Sequence, residues 1–205
     1  MKLIDISHTL NENTPAYPGD YAFSLTKYRT LGEDGYNSYL LKTCLHIGTH
    51  VDFPLHMLDH DGTAASFDLD GFAGEGVLLD VRGESRIKMK PQYLREVPER
   101  SIVLLHTGFD EYYNEPRYFT KHPVLETELA DFFISKKVKM VGMDTPSPDY
   151  EPFEIHKRLL SNGVFLLENL TNLNNLLDVC AFDVMALPLK IPAEASLVRA
   201  ACLLR

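Results

Sequence analysis

Apolar and polar positions along the chain follow two patterns. In the first, apolar residues alternate with polar ones. "KLIDISHTL" sets Leu3, Asp5 and Ser7 against Ile4, Ile6 and His8, the period-two pattern of a half-buried strand. "FSLTKYRT" and "SYLLKTCLHI" read as further strands. In the second pattern, apolar residues run together. "GVLLDV", "SIVLLHTGF", "VKMVGMDT", "GVFLLENL" and "FDVMALPLKI" are short apolar runs of the kind found in strands buried on both faces. Helical spacing is rarer. "HPVLETELADFFISKK" repeats Leu125, Leu129, Phe132 and Phe133 at helical intervals. Pro123 sits near its start, and Lys136 and Lys137 suit its C-terminal dipole. "PFEIHKRLLSNG" reads as a shorter helix closed by Asn162-Gly163, and "LTNLNNLL" as another capped by Thr171. Pro15, Pro18 and Gly19 mark a loop, as does the polar stretch "DHDGTAASFDLDGFAGEG". No internal repeat, low-complexity tract or linker interrupts residues 1–205. The pattern predicts a single α/β domain, richer in strand than in helix.

Composition narrows the function classes. A chain of 205 residues with 45% apolar content can bury a full core. A formal net charge of -9 argues against a nucleic-acid partner, which wants clustered Lys and Arg. It suits a protein that handles small molecules or holds cations. Cys44, Cys180 and Cys202 are too few, and odd in number, for a disulfide framework. They read as buried, reduced thiols of a cytosolic protein. "MKLIDISHTL" lacks the apolar stretch of a signal peptide, and no run is long enough to span a membrane. The expectation is a soluble, cytoplasmic protein with no membrane partner.

One stretch carries chemistry. "LHIGTHVDFPLH", Leu45 to His56, packs three histidines and an aspartate into twelve residues. His46, His50, Asp52 and His56 share parity, and residues two apart on a strand share a face. Gly48 and Pro54 argue against a helix. A straight strand would hold His46 and His50 roughly 13 Å apart, too far for one ion, so the chain must bend, and Gly48 permits it. The resulting His, His, Asp set suits Zn²⁺, and also Mn²⁺ or Fe²⁺. His56, held after Pro54, would stand beside the metal as general base and then acid. His60 is a weaker candidate of the same type.

The same residues resemble a known family. "HIGTHVDFPLH" matches the HxGTHxDxPxH signature of the cyclase-like metal-dependent hydrolases, which include bacterial kynurenine formamidases and isatin hydrolases. "LIDISHTL", "AYPGD", "VKMVGMDTPSPD" and "IHKRLLSNGVFLLENL" resemble further segments of that family, so the likeness extends over nearly the whole chain. The resemblance implies a swivelling β/β/α domain with a mixed central sheet and few helices, in a homodimer or homotetramer. It implies that His46, His50 and Asp52 bind a first metal. Asp52 would bridge to a second, completed by His156 and Glu168, with His56 as the acid/base. Zn²⁺ would be the ion, one or two per chain, with Mn²⁺ the other choice. A glutamate after Val164, Phe165, Leu166 and Leu167 either emerges into solvent at the strand end or is costly to place near a core without a partner, which a cation would supply. Kynurenine formamidases of this type carry a tryptophan where this chain has Tyr17, and a tyrosine can still stack on an aromatic substrate.

Other residues invite structural readings. Asp144 ends an apolar run, and either stabilises a turn or contacts substrate; Ser147 lies just beyond. His8 and His106 sit in strand-like runs and are expected to be structural. Asp20 should stabilise the Pro18-Gly19 turn. Tyr17 and Phe67 lie on loops that would wall a pocket. The leading expectation is a metal-dependent hydrolase cleaving a small amide, an arylformamide such as N-formylkynurenine, by metal-activated water, in tryptophan catabolism. The alternatives are a lactonase, cyclase or isatin-type ring-opening activity on the same site, and a non-catalytic metal-binding module.

Overall fold

The computed structural model describes residues 2–205. In chain order the strands are β1 (Lys2–Asp5), β2 (Ser24–Arg29), β3 (Ser38–Lys42), β4 (His50–Asp52), β5 (Ala73–Asp80), β6 (Arg86–Ile87), β7 (Ile102–His106), β8 (Val124–Leu125), β9 (Met140–Met143), β10 (Phe165–Glu168), β11 (Phe182–Met185), β12 (Ala195–Leu197) and β13 (Ala201–Leu204). The helices are α1 (Leu31–Asp34), α2 (Tyr93–Glu96), α3 (Arg117–Thr120), α4 (Thr127–Ser135) and α5 (Glu154–Ser161). Nine strands form one mixed sheet in the order β1-β13-β11-β5-β7-β9-β10-β4-β12. Its centre, β5-β7-β9-β10, is parallel, and the flanks are antiparallel. The molecule is therefore the α/β type expected, with a mixed sheet and few helices.

The unbroken apolar runs have a direct cause. On β7, Val103 and Leu105 join a core with α4 and α5, containing Leu129, Phe133 and Leu159. Ile102 and Leu104 point the other way, into a core with Phe53, Phe72, Phe165 and Leu173. Both faces of the central strands are covered, so neither face can be polar. At the sheet edge, Ile6 is buried while Leu3 is exposed, as the alternation implied.

Several elements differ from the local pattern. The helix expected from Pro123 begins only at Thr127. Val124 and Leu125 instead pair with Arg86 and Ile87, and Leu125 N–H donates to the Pro148 carbonyl. Those long-range bonds hold the segment extended before the helix starts. "LTNLNNLL" forms only a 3-10 turn, Leu173–Leu176, preceded by Asn172 at φ +60°. Thr171 does not cap it. Its hydroxyl donates to Asp110 at 2.8 Å. The shorter helix ends at Asn162-Gly163 as expected, with Gly163 at φ +74°. Of the cysteines, only Cys202 is buried, and burial pushes its thiol up to about 12; Cys180 is exposed. Among the described residues no helix is long and apolar enough to cross a membrane.

Candidate metal centre

β4 carries an imidazole and an acid two positions apart, His50 and Asp52. It lies between β10 and β12, with Glu168 directly opposite His50 and Leu166 opposite Asp52. Residues opposite one another share a sheet face, so His50, Asp52 and Glu168 project together. His46 arrives from the irregular stretch before β4. There Gly48 takes φ +58°, and a Cβ at that position would stand 2.3 Å from Leu10 Cδ2. The left-handed backbone and the close Leu10 methyl together favour glycine at that bend. His156 comes from α5. Asp149 Oδ2 accepts the Ile155 N–H at 2.7 Å, anchoring the first turn of that helix, and Ile155 and Leu159 bury its inner face.

The side chains converge on Asp52. His46 Nδ1 lies 2.9 Å and His50 Nε2 3.3 Å from Asp52 Oδ1, while His156 Nε2 lies 3.1 Å from Oδ2. Glu168 Oε2 stands 3.4 Å from His50 Nε2, and Oε1 stands 3.9 Å from His156 Nδ1. The His56 ring is 4.0 Å from that of His46 and 5.3 Å from that of His156. Two groups, His46/Asp52/His56 and His50/Asp52/Glu168, each hold their donor atoms within 4.8 Å of one another and share Asp52. His56 thus lies as close to the first group as a ligand would. His60 lies elsewhere, in an exposed turn, where its Nδ1 accepts the Gly62 N–H at 2.8 Å.

The cluster's hydrogen bonding is incomplete. His46 Nε2, His50 Nε2, Asp52 Oδ1 and Glu168 Oε1 are buried without a hydrogen-bond partner. Buried polar atoms are ordinarily satisfied, and carboxylate and imidazole lone pairs aimed at one another need a positive charge between them. A divalent cation with nitrogen and oxygen ligands supplies it, so the donor set fits a metal. In the protein alone the histidines carry that role. Burial opposes the charge on His50, yet Asp52 and Glu168 push its pKa well above the ordinary value. Burial also opposes ionisation of Asp52, but the charges of His46 and His50 and the His156 hydrogen bond hold its carboxyl well below the usual range. Glu168 is raised, by burial first and then by the Asp52 charge. His56 is lowered to about 4, chiefly by burial, with the neighbouring imidazoles adding to the effect.

The cluster floors a cavity of about 270 Å³. His46, His56, His156 and Glu168 form the polar side, and Tyr17, Phe119, Met57 and Phe153 the apolar walls. Tyr17 meets Phe119 edge-on, ring centres 5.6 Å apart. Asp20 reaches the same cavity, and its N–H closes the turn onto the Tyr17 carbonyl at 2.9 Å. Phe67 does not line it. Phe67 packs on Phe165 at 4.9 Å, drawn inward by the aromatic core around Phe53.

Asp144 takes the turn role. It accepts from Thr107 N–H, Thr107 hydroxyl and Gly108 N–H, with His106 Nδ1 at 3.1 Å. His8 stacks on Tyr113 at 3.6 Å, and its backbone N–H donates to the Thr49 hydroxyl at 3.0 Å. Ser147 lines the cavity, its hydroxyl 3.5 Å from His156 Nδ1. Residues that the sequence did not single out also stand at the site: Glu194, whose Oε1 is 3.5 Å from His46 Nε2, and the wall residues Phe119, Met57 and Phe153. No local pattern marks them: Met57 follows His56 directly but bears no ligand group, while α3 and the segments before α5 and β12 bring Phe119, Phe153 and Glu194 from elsewhere in the sequence.

Comparison with known proteins agrees with this architecture. Residues 4–150 match the Cyclase family model, described as "Putative cyclase". The chain is 33% identical over 205 residues to a kynurenine formamidase of Bacillus cytotoxicus, covering 96% of this chain and 95% of that one. Isatin hydrolase A of Labrenzia aggregata has the same fold, with a TM-score of 0.86 at 21% identity over 99% of this chain and 93% of that one. A structure described as a potential metal-dependent hydrolase with cyclase activity aligns at a TM-score of 0.79 and 25% identity, over 100% and 98% of the two chains. By its motif, its fold and these relatives, the chain belongs to the cyclase family of hydrolytic enzymes.

Proposed function

We propose that this chain is a metal-dependent amidohydrolase whose first-choice substrate is an arylformamide such as N-formylkynurenine. The observation that carries the reading is one juxtaposition. Buried donors with unsatisfied lone pairs floor a cavity whose walls are aromatic. His46, His50 and Asp52 would hold one cation, and Asp52, His156 and Glu168 a second; Zn²⁺ is the first candidate and Mn²⁺ the next. When bound, the metal would lower the pKa of water and polarise the substrate carbonyl.

The chain's own residues supply the rest. Tyr17 and Phe119, packed edge-on, would form one wall against the aryl ring, leaving the formyl group over the polar floor. Met57, Phe119 and Phe153, each half-buried, would narrow the solvent space beside that floor once substrate is bound. The His56 imidazole would take a proton from the attacking water as the new C–O bond forms. It would return that proton to the leaving nitrogen as the C–N bond breaks, releasing formate and the aryl amine. A kynurenine formamidase is among the relatives, and that supports the formamide over other small amides. The same aromatic walls would accept a fused-ring lactam of isatin type.

The test is hydrolysis of N-formylkynurenine by Zn²⁺- or Mn²⁺-loaded protein, followed by absorbance against a chelated control. Chelator-sensitive turnover is the expected result. Loaded protein inert toward the formamide but active on isatin would transfer the reading to ring opening. His56→Ala should retain its metal and lose turnover; loss of metal from that variant would make His56 a ligand.

The homo-oligomer is part of the proposal. The β2–β3 hairpin exposes Leu25, Tyr28, Tyr39, Leu40 and Leu41, and a two-stranded hairpin is marginal in water by itself. Light scattering should give two or four times 23.2 kDa. A cytoplasmic setting would keep the three unpaired cysteines reduced.

A further inference from the structure

Asn169 directly follows Glu168 and is buried at φ +55°, a left-handed conformation uncommon outside glycine. All four of its polar groups are engaged. Its N–H donates to the Thr145 carbonyl at 3.0 Å, and its carbonyl accepts the Thr49 hydroxyl at 2.6 Å. Its Nδ2 donates to the Gly48 carbonyl at 3.0 Å, and its Oδ1 accepts from the Tyr118 hydroxyl at 2.9 Å. The orientation of the amide follows from chemistry. A carbonyl can only accept, so the NH₂ must face Gly48, and Tyr118 must donate to the oxygen.

The Gly48 carbonyl has a second donor. His50 Nδ1 lies 2.8 Å from it, so Nδ1 carries a proton. That leaves Nε2 as the ring atom facing Asp52 and Glu168. A ligating histidine commonly has its ring fixed in this way, by a bond from its other nitrogen.

We propose that Asn169 is a positioning residue. It fixes the Gly48 carbonyl so that His50 presents Nε2 to the cation, and Tyr118 is the post that fixes Asn169. This rests on the reading of the cluster as a metal centre. Asn169 also lines the cavity beside the cluster.

The test is Zn²⁺ affinity of the metal-stripped full chain, by competition with a chromophoric chelator, alongside thermal melting of the stripped protein. Asn169→Asp places an acceptor against the Gly48 carbonyl and should weaken Zn²⁺ binding by about 10- to 100-fold, the usual cost of losing an outer partner. Tyr118→Phe should weaken it by a smaller factor, and it decides the matter if Asn169→Asp fails to fold. Asn162→Asp, on the exposed end of α5, is the control and should bind as wild type does. In Zn²⁺-loaded wild type, ¹⁵N NMR of His50 should show the proton on Nδ1, and in loaded Asn169→Asp that Nδ1 signal should shift or broaden. Variants that melt lower yet bind Zn²⁺ within about twofold of wild type would overturn the positioning role and leave the metal centre standing. Wild-type protein that binds no Zn²⁺, Mn²⁺ or Fe²⁺ would instead remove the metal reading, and the proposal with it.

Discussion

Asp52 Oδ2 lies 3.1 Å from His156 Nε2, joining β4 to α5 across 104 positions of sequence. The other Asp52 oxygen faces His46 and His50. One carboxylate therefore touches every imidazole in the proposed ligand set. Asp52→Asn keeps the shape but removes the charge and one ligating oxygen. It should lower metal affinity by more than about a hundredfold, beyond what changes outside the ligand set cost. Metal content after gel filtration reads the result directly. A variant with wild-type metal content would exclude Asp52 as the bridge.

Metal removal should be visible in stability as well as in activity. Binding that favours the folded state adds about 2.7 kcal/mol at a hundredfold excess over Kd. For a chain of this size that corresponds to a Tm shift of roughly 5–10 °C. Melting curves of stripped and Zn²⁺-reloaded protein should differ by that amount. Superimposable curves would count against a cation held by the folded state.

Gly48→Ala tests the bend. The substitution combines a left-handed backbone with a Cβ at 2.3 Å from Leu10 Cδ2. It should cost about 2–4 kcal/mol in urea unfolding and reduce metal affinity as His46 and His50 move apart. Stability within about 0.5 kcal/mol of wild type would mean that the chain relaxes there easily.

His122 is buried against the Tyr150 ring, with Nδ1 3.2 Å from the Pro123 carbonyl. Burial lowers its pKa from 6.5 to about 4. Its folded value is below its unfolded one, so between these limits the unfolded chain binds more protons. Stability is therefore full above about pH 6.5 and falls as pH drops toward 4. At pH 5 the loss is about 2 kcal/mol relative to pH 7. His8, also lowered to about 4 by burial, acts in the same direction. In His122→Gln the pH 7 to pH 5 difference should shrink by its share. An unchanged difference would show that His122 does not titrate in this way.

The cavity walls predict a KM effect separate from kcat. Phe119→Ala removes one side of the Tyr17–Phe119 pair and should raise KM for an aryl substrate by about three- to tenfold, with kcat little changed. Tyr17→Trp restores a larger ring and should leave KM equal or lower. A fall in kcat alone for Phe119→Ala would place that ring nearer the chemistry than the wall position suggests.

The sequence by itself determined the α/β class and the central strands, and pointed to the first half of the candidate site. These are local matters. Period-two alternation, unbroken apolar runs and the His46–His56 spacing all act within a dozen residues, and the bend at Gly48 follows from how far two imidazoles can lie from one ion. Helix boundaries were less legible, because Val124 and Leu125 satisfy their backbone through β6 and Pro148 rather than through their neighbours. Only the tertiary structure decided which distant groups meet. Glu168 faces His50 because β10 and β4 pair in that register, and His156 reaches Asp52 because α5 packs on the sheet. The likeness to a family suggested both residues, but their spacing did not. Nothing local separated Phe67, drawn into the core, from Phe119, left at the cavity, or marked Asn169 and Tyr118 as partners. Strand pairing and packing are non-local, and a side chain's surroundings are set by segments a hundred residues away.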